Sequence, residues 1–205
     1  MPRISATTVR EHHDAQHEAI LDVVGELLAE HGYEGIEFSA IGRRVGLARN
    51  SLYRYARDRD ELLGQWLQRA FEPAMSSAVT LLTNERPAAE RVATWLDAQL
   101  RSAASPRDGA ATRLMAEFDR LPESVRQMVI EGHRPVRDAL AGAVREALAD
   151  QPDRDPLTAL ALLDGLVSAA TRLAADGLNP RLHAETRNAV LSMLGRTPSY
   201  GGEAQ

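Results

Sequence analysis

The chain contains 205 residues, of which 44% are hydrophobic, and it carries a formal net charge of −5. This length is enough for one medium-sized domain, or for a small domain joined to a larger one. The absence of cysteine excludes disulfides, thiolate metal sites and a cysteine nucleophile. All 24 basic residues are arginine, and the absence of lysine excludes Schiff-base chemistry and a phosphate-binding Walker lysine.

The sequence predicts a cytoplasmic protein without a membrane partner. Residues 1–14 lack the apolar core of a signal peptide. No apolar run approaches the roughly 20 residues that a membrane span requires. We expect residues 1–12 to form a flexible arm and residues 196–205 to form a disordered tail.

Apolar residues recur at helical spacing along the whole chain, which predicts an all-α protein of about nine helices. The first helix is predicted from His13 to His31, and Gly32 ends it. Its apolar face consists of Ile20, Val23, Val24, Leu27 and Leu28. The fourth helix begins at Asp58 or Asp60, and Pro73 is expected to kink it or to mark a boundary. Later helices are predicted at about 87–104, 110–121, 122–150 with a kink near Pro135, 156–175 and 180–194.

Positive charge is concentrated between these first and fourth helices. Residues 39–59 contain six arginines and one aspartate, so this stretch carries about +5 in an acidic chain. The second helix is predicted from Ser39, as its N-cap, to Val45, and the third from Arg49 to Tyr55, with a tight turn at Gly46. Two short helices at this spacing are typical of a helix-turn-helix, whose second helix enters the DNA major groove. The alternative is that the arginines form only a solvated helix face.

The segment "LLAEHGYEGI" is followed by "FSAIGRRVGLARNSLYRYARDRDELL". Ser39 supplies a hydroxyl at the start of the second helix, Ile41 lies near its middle, and Gly46 forms the turn. The third helix carries Leu-Tyr-Arg-Tyr at 52–55, and the fourth opens with Glu-Leu-Leu at 61–63. On these motifs, residues 13–63 resemble the N-terminal domain of tetracycline-repressor (TetR) family transcriptional regulators. The resemblance implies a DNA-binding domain at 13–58 and a ligand-binding and dimerisation domain at 59–195.

Four positions depart from the family pattern. Ala48 lies where a Ser or Thr usually caps the third helix, and Asn50 replaces a common Gly. Gly42 replaces a common Ala, and Ala56 replaces a common Phe. None of these changes removes a DNA-facing group, so they bear on stability rather than on DNA binding.

The start of the third helix lies nearest the base edges in a helix-turn-helix. Arg49 can bind the O6 and N7 atoms of guanine, and Asn50 can bind the N6 and N7 atoms of adenine. The resemblance gives Tyr53 and Tyr55 phosphate or sugar contacts, unless one ring packs internally. The predicted DNA-binding set is Ser39, Arg43, Arg44, Arg49, Asn50, Ser51, Tyr53, Arg54, Tyr55 and Arg59.

The resemblance also places an effector pocket among the middle helices. The candidate lining residues are Trp95, Met115, Phe118, Met128 and His133, with Arg113 and Glu117 as further polar groups. Aromatic residues are only 4% of the chain, so a largely aliphatic and methionine lining is expected, which suits an apolar small molecule. His13 and His17 have metal-ligand spacing but lack a third ligand, and we expect neither a metal site nor a cofactor.

Together these features predict a ligand-responsive, non-enzymatic regulator. It would bind a palindromic double-stranded DNA operator as a homodimer through its last two helices, and act as a repressor that an effector releases. The alternative is an all-α enzyme or lipid-binding module that uses the arginine-rich patch for an anionic ligand. No carboxylate pair, nucleophile–base set or metal-ligand trio in the sequence supports catalysis.

Overall fold

The structure, a computed structural model, describes residues 6–105, 109–177 and 179–195. Regular structure within these residues is entirely helical, which confirms the all-α prediction. The described residues form ten α-helices: α1 (Ala6–His31), α2 (Phe38–Val45), α3 (Arg49–Leu52), α4 (Arg59–Thr83), α5 (Ala88–Ala104), α6 (Gly109–Ala116), α7 (Glu123–Gly132), α8 (Arg134–Ala147), α9 (Pro156–Ala175) and α10 (Pro180–Met193). Short 3-10 helices lie at Tyr33–Gly35 and Phe118–Arg120.

Some helix boundaries differ from the expected ones. The first helix begins at Ala6, so residues 6–12 of the expected flexible arm are helical; residues 1–5 and the tail at 196–205 lie outside the described residues. The single helix expected at 122–150 is two helices separated at His133, which raises the number from nine to ten. Pro135 sits at the second position of α8, where its missing N–H removes no helical hydrogen bond.

The chain divides into two compact units that differ from the predicted domains. The first unit comprises Met1–Glu72 and Arg107–Gly132, and the second comprises Pro73–Pro106 and His133–Gln205. The helix α4 continues through Pro73, where we expected a kink or a boundary, and the division into units falls at that proline. Residues 109–132, expected in the ligand-binding domain, pack with the DNA-binding segment.

The core of the first unit forms around the apolar face of α1. Ile20, Val24 and Leu28 are fully buried at helical spacing, as the periodicity predicted. The helix α6 packs along α1 and buries Ala110 and Leu114 against it. Burial of each large aliphatic side chain stabilises the unit by about 1.5–3 kcal/mol, which holds the short helices α2 and α3 in place.

The turn between α2 and α3 depends on two glycines. Gly46 caps the C-terminus of α2 in the left-handed conformation, with φ of 71°, a region that other residues enter at a cost of about 1–2 kcal/mol. Gly42 allows close approach, because a Cβ atom there would lie 2.6 Å from the carbonyl oxygen of Leu47. The Leu47 N–H donates to the Gly42 carbonyl at 2.9 Å. The turn is therefore tighter than a chain with Ala at position 42 would allow.

The second unit is built around α5, against which α8, α9 and α10 pack. Val92, Leu96 and Leu100 of α5 are fully buried at its centre. The sequence signals at the starts of α9 and α10 are confirmed, since the side chains of Asp155 and Asn179 accept hydrogen bonds from backbone N–H groups of the first turns.

The helix α9 leaves a large part of its apolar surface uncovered. Leu157, Leu162 and Leu173 are 74%, 61% and 59% exposed. By length and composition α9 could cross a membrane, with a mean hydropathy of 1.4, so the expectation that no run approaches a span was wrong. Helices of soluble proteins pass the same test, and Asp164 and Arg172 interrupt the apolar run.

Candidate nucleic-acid interface

Three exposed arginines surround the helix-turn-helix. The side chains of Arg43, Arg49 and Arg54 are exposed, and none forms an ion pair with another described residue. Arg54 Nε donates only a long 3.4 Å hydrogen bond to the Ser51 carbonyl. Arginine is weakly hydrated and bidentate, which suits it to phosphate and guanine. These side chains are therefore available to an anionic partner.

The candidate recognition helix α3 is shorter than predicted and ends at Leu52. Tyr53 keeps right-handed helical angles, but the next backbone bonds span only three residues, from the Arg54 N–H to the Ser51 carbonyl and from the Tyr55 N–H to the Leu52 carbonyl. Leu52 is fully buried and anchors α3 to the core. Arg49 and Asn50 are exposed and Ser51 is half-buried. The N-cap of α3 is Ala48, whose methyl side chain cannot accept a hydrogen bond from the first turn. The three polar residues that were predicted to read bases thus lie together on the surface.

Tyr53 lies between α3 and the start of α2. Its ring is 50% exposed and packs against Phe38, with ring centroids 4.9 Å apart and an interplanar angle of 53°. Arg49 Nη2 lies 3.5 Å from the Tyr53 hydroxyl oxygen, to which it donates a long hydrogen bond. Phe38 thereby fixes the ring beside the guanidinium, and both polar groups face outward.

An open pocket of about 360 Å³ adjoins this pair. It is lined by Ile36, Glu37, Phe38, Ser39, Arg49, Tyr53, Arg57, Asp58 and Arg59. The lining contains three guanidinium groups and two carboxylates, so its formal charge is +1. Ser39 was predicted to cap α2, but Glu37 occupies the N-cap position and Ser39 lies in the first turn, where its hydroxyl donates to Glu37 Oε2 at 3.1 Å.

Arg44 forms ion pairs with two glutamates of α1. Its guanidinium lies 3.1 Å from Glu26 Oε2 and 2.5 Å from Glu30 Oε2. The hydrogen bond from Arg44 lowers the pKa of the Glu30 carboxyl. Arg44 thereby links α2 to α1, and its expected DNA contact stays a prediction.

Arg57 and Arg59, at the start of α4, also have acidic partners. Glu61 accepts bonds from the backbone N–H and the side chain of Arg57, which together lower the pKa of its carboxyl. Arg59 lies 3.0 Å from Glu34 Oε2 and stacks over the Tyr33 ring, 4.1 Å from its centroid. Exposed ion pairs contribute only about 0–1 kcal/mol, so a phosphate can compete for both arginines.

Tyr55 packs inside the first unit, in agreement with the alternative that one ring is internal. Its side chain is 9% exposed, and its hydroxyl donates to Gln16 Oε1 at 2.6 Å. The rings of His13 and His17 stack on it at centroid distances of 4.7 and 5.9 Å. His17 Nε2 also lies 2.8 Å from Gln65 Oε1. Both histidines thus serve packing, and the expected DNA contact of Tyr55 is not supported.

The predicted effector residues are divided between the two units. Trp95 is buried in the core of the second unit, and its Nε1–H lacks a hydrogen-bond partner among the described residues. His133 is exposed at the start of α8. In the first unit, Met115 is 55% exposed, whereas Phe118 and Met128 pack against the core. The set is divided between the units, and its role in ligand binding stays a prediction.

Sequence reasoning missed a hydrogen-bond network beneath the interface. Tyr33 is 4% exposed and its hydroxyl donates to Asp60 Oδ1 at 2.5 Å. The Ser124 hydroxyl donates to the other oxygen of Asp60 at 2.8 Å. Burial and the hydrogen bond to Asp60 raise the pKa of Tyr33 to about 12. Glu117, predicted to face an effector, accepts the Tyr33 N–H at 3.2 Å, while the Arg113 side chain lies outside the described residues.

Residues 20–65 match the model of the bacterial regulatory proteins of the tetR family. This match confirms, for the N-terminal segment, the resemblance that the motifs indicated. No curated protein sequence matches the chain.

Solved structures of the same fold cover most of the chain. Reduced Escherichia coli NemR is 20% identical with a TM-score of 0.68, over 90% of this chain and 100% of NemR. Bacillus subtilis FadR in complex with stearoyl-CoA is 19% identical with a TM-score of 0.65, over 86% and 96% of the two chains. The SmeT–triclosan complex is 20% identical with a TM-score of 0.67, over 93% and 99%. At these identities the likeness concerns the fold.

Proposed function

We propose that this chain represses transcription by binding a palindromic operator as a homodimer. A small molecule releases it from the DNA. The match of residues 20–65 to the tetR family of bacterial regulatory proteins supports this proposal. The observation that carries the proposal is the placement of three arginines around the helix-turn-helix of an acidic chain. Arg43, Arg49 and Arg54 are exposed and have no acidic partner within the described part of the chain.

Recognition of the operator divides between two groups of residues. Arg49 and Asn50 at the start of α3 read base edges, where a bidentate contact discriminates by about 1–3 kcal/mol. Tyr53, with its ring fixed by Phe38, and Arg54 contact phosphates, which supply most of the affinity and its salt dependence. Ser39, Arg43, Ser51 and Arg59 complete the proposed contact surface.

The exposed face of α9 supports dimerisation. An apolar stripe on α9 has alternating spacings of three and four residues, which is the pattern of a helix-packing seam. It consists of Ala159, Leu162, Leu166, Ala169 and Leu173. Leu162 and Leu173 in this stripe are more than half exposed. Packing two copies along α9 and α10 would cover them and present two α3 helices to the two halves of a palindrome. An obligate interface of this kind buries about 2,000 Å² or more.

A largely apolar effector fits the composition of the helices after α4. Aromatic residues are few, so a cavity there would be lined mainly by aliphatic and methionine side chains, which adapt to irregular apolar shapes. Two of the structures with the same fold hold triclosan and stearoyl-CoA, both of which carry large apolar parts. By binding one of two conformations more tightly, such an effector lowers operator affinity.

Selection of bound fragments from genomic DNA tests the proposal. The wild-type chain should enrich a palindromic sequence and bind it with strong salt dependence. Replacement of Arg43, Arg49 and Arg54 by Ala should abolish enrichment, whereas replacement of Arg86, Arg101 and Arg137, three exposed arginines of the second unit, should not. If the chain binds anionic lipid vesicles and enriches no DNA, the lipid-binding alternative holds and the proposal fails.

A further inference from the structure

Two carboxylates accept hydrogen bonds from the loop that leads into α2. Asp60 accepts the hydroxyl of Tyr33 at 2.5 Å, and Glu117 accepts the backbone N–H of the same residue at 3.2 Å. Tyr33 lies in the short 3-10 helix immediately before α2 and is almost fully buried. Hydrogen bonds to charged acceptors are roughly twice as strong as neutral ones. The start of α2 is therefore fixed through Tyr33.

The approach of the loop to Glu117 is unusually close. Gly32 has a φ of 72°, and a Cβ atom there would lie 2.5 Å from both carboxylate oxygens of Glu117. A side chain at this position would displace the carboxylate, apart from the cost of the left-handed backbone. Glycine at position 32 thus lets Glu117 reach the Tyr33 N–H.

Asp60 extends the network to α4 and α7. It is the second residue of α4, directly after Arg59, which lines the pocket of the candidate interface. Its second oxygen accepts the hydroxyl of Ser124, which lies at the start of α7. Tyr33, Asp60 and Ser124 thereby join three backbone segments through one carboxylate. Residues just after Tyr33 and at the start of α4 line the pocket of the candidate interface.

We propose that Asp60 and Glu117 are positioning residues for DNA binding, and that the segment Glu117–Ser124 braces the starts of α2 and α4 in the orientation that fits the operator. This inference rests on the proposed function. In this proposal the three residues act on DNA binding only through position. Glu117 and Ser124 come from a later part of the chain than the helix-turn-helix, and both carboxylate oxygens of Asp60 accept internal hydrogen bonds. A shift of the Glu117–Ser124 segment lowers operator affinity, because fewer molecules hold the competent geometry.

The test uses the full chain and the duplex that the wild-type protein enriches from a random-sequence library. Ser124→Ala removes an exposed hydroxyl, so folding is not threatened, and Tyr33→Phe removes the other bond to Asp60. Each variant should bind the enriched duplex at least about twofold more weakly, which corresponds to the lower end of the net value of one hydrogen bond. Binding to a scrambled duplex and the salt slope should stay unchanged, because no phosphate contact is lost. Ser124→Thr, which keeps the hydroxyl, should restore affinity.

Gln127→Ala is the matched control, since Gln127 lies on α7 but bonds only to Glu123 among the described residues. Combining Ser124→Ala with Tyr33→Phe should give less than the sum of the single effects, because both act through Asp60. If the wild-type chain enriches a duplex and both single variants bind it at wild-type strength, the positioning role is refuted and DNA binding stands. If the wild-type chain binds no DNA, the proposed function fails and the positioning role fails with it.

Discussion

The hydroxyl of Tyr55 donates a 2.6 Å hydrogen bond to Gln16 Oε1 of α1, whereas the ring of Tyr53, two residues earlier, is half exposed to solvent. Two tyrosines of one short motif thus have different functions. Side chains two residues apart on a right-handed helical turn point to nearly opposite sides, and Tyr53 still has right-handed helical angles, so the two rings face different ways. One ring contributes to the core and the other to the candidate interface.

Substitutions should separate these two tyrosines. Tyr55→Phe should lower the free energy of unfolding by about 1 kcal/mol, the net value of a hydrogen bond, with the salt slope of DNA binding unchanged. Tyr53→Ala should weaken DNA binding and leave the unfolding free energy almost intact. Urea denaturation and fluorescence anisotropy with labelled duplex measure the two quantities. A loss of DNA affinity in a fully folded Tyr55→Phe protein would show that this hydroxyl reaches the DNA after all.

The exposed arginines should differ from the paired one in their effects on DNA binding. Arg49→Ala should weaken operator binding by about 1–3 kcal/mol and relax the preference at one base position. Arg54→Ala should weaken binding to all sequences and reduce the salt slope by about one. Arg44→Ala should mainly lower stability, because Arg44 is held by Glu26 and Glu30. Binding isotherms on single-base operator variants at several salt concentrations distinguish these outcomes. Intact affinity and base preference in Arg49→Ala would mean that α3 is not the recognition helix.

The helical class and the core of the first unit were predictable from the sequence because they depend on short-range patterns. Ile20, Val24 and Leu28 repeat at helical spacing, and Gly46 ends α2 as its freedom to adopt positive φ implies. Such signals involve residues close along the chain. They locate each helix without any knowledge of what packs against it.

Contacts between distant residues were not predictable in the same way. Arg44 looked free in the sequence, since its partners Glu26 and Glu30 lie a helix earlier. Glu117 and Ser124 were placed in the ligand domain, although both bond near the helix-turn-helix. Leu163 of α9 is buried in the core of the second unit, whereas Leu162 and Leu173 of the same apolar helix are exposed. An apolar stripe shows that a face is covered, but not by which partner.

Stability should fall at alkaline pH in a way that depends on Tyr33. Its pKa is raised to about 12 in the folded protein, against about 10 in an unfolded chain. The neutral hydroxyl is thus favoured by folding. The resulting stabilisation is fully present below pH of about 10 and is lost as pH rises towards 12, because the unfolded chain ionises first. Thermal melts between pH 8 and 12 should show a steeper decline for wild type than for Tyr33→Phe. Parallel curves would mean that Tyr33 ionises equally in both states.

Charges on the exposed face of α9 should prevent dimerisation. Leu162→Asp together with Leu173→Asp places two carboxylates in the proposed apolar seam, and a charge buried without a partner costs far more than a leucine contributes. Light scattering at micromolar concentration should give a dimer for wild type and a monomer for the double variant. Glu85→Ala, at an exposed position between α4 and α5, is a control that changes charge outside both helices of the proposed interface. A stable wild-type monomer would contradict the proposed assembly.

Gly42→Ala should disturb the turn of the helix-turn-helix, although Ala is common at this position in the family that the chain resembles. An alanine inside a helix ordinarily gains about 0.5–1 kcal/mol over glycine. Here its Cβ would lie 2.6 Å from the Leu47 carbonyl oxygen, a backbone atom that moves only if the turn moves. Overpacking of this kind costs about 1–3 kcal/mol, so we expect net destabilisation together with weaker operator binding.

Gly142→Ala provides the matched control for this substitution. Gly142 lies inside α8, and a Cβ atom there would meet nothing within 4 Å. Only the gain in helix propensity remains, so the melting temperature should rise and DNA binding should stay the same. Melting temperatures and binding isotherms of the two variants should therefore move in opposite directions from wild type. If Gly42→Ala stabilised the protein as Gly142→Ala does, the turn would be able to widen at no cost. The close approach of the Leu47 carbonyl to α2 would then not fix the position of α3.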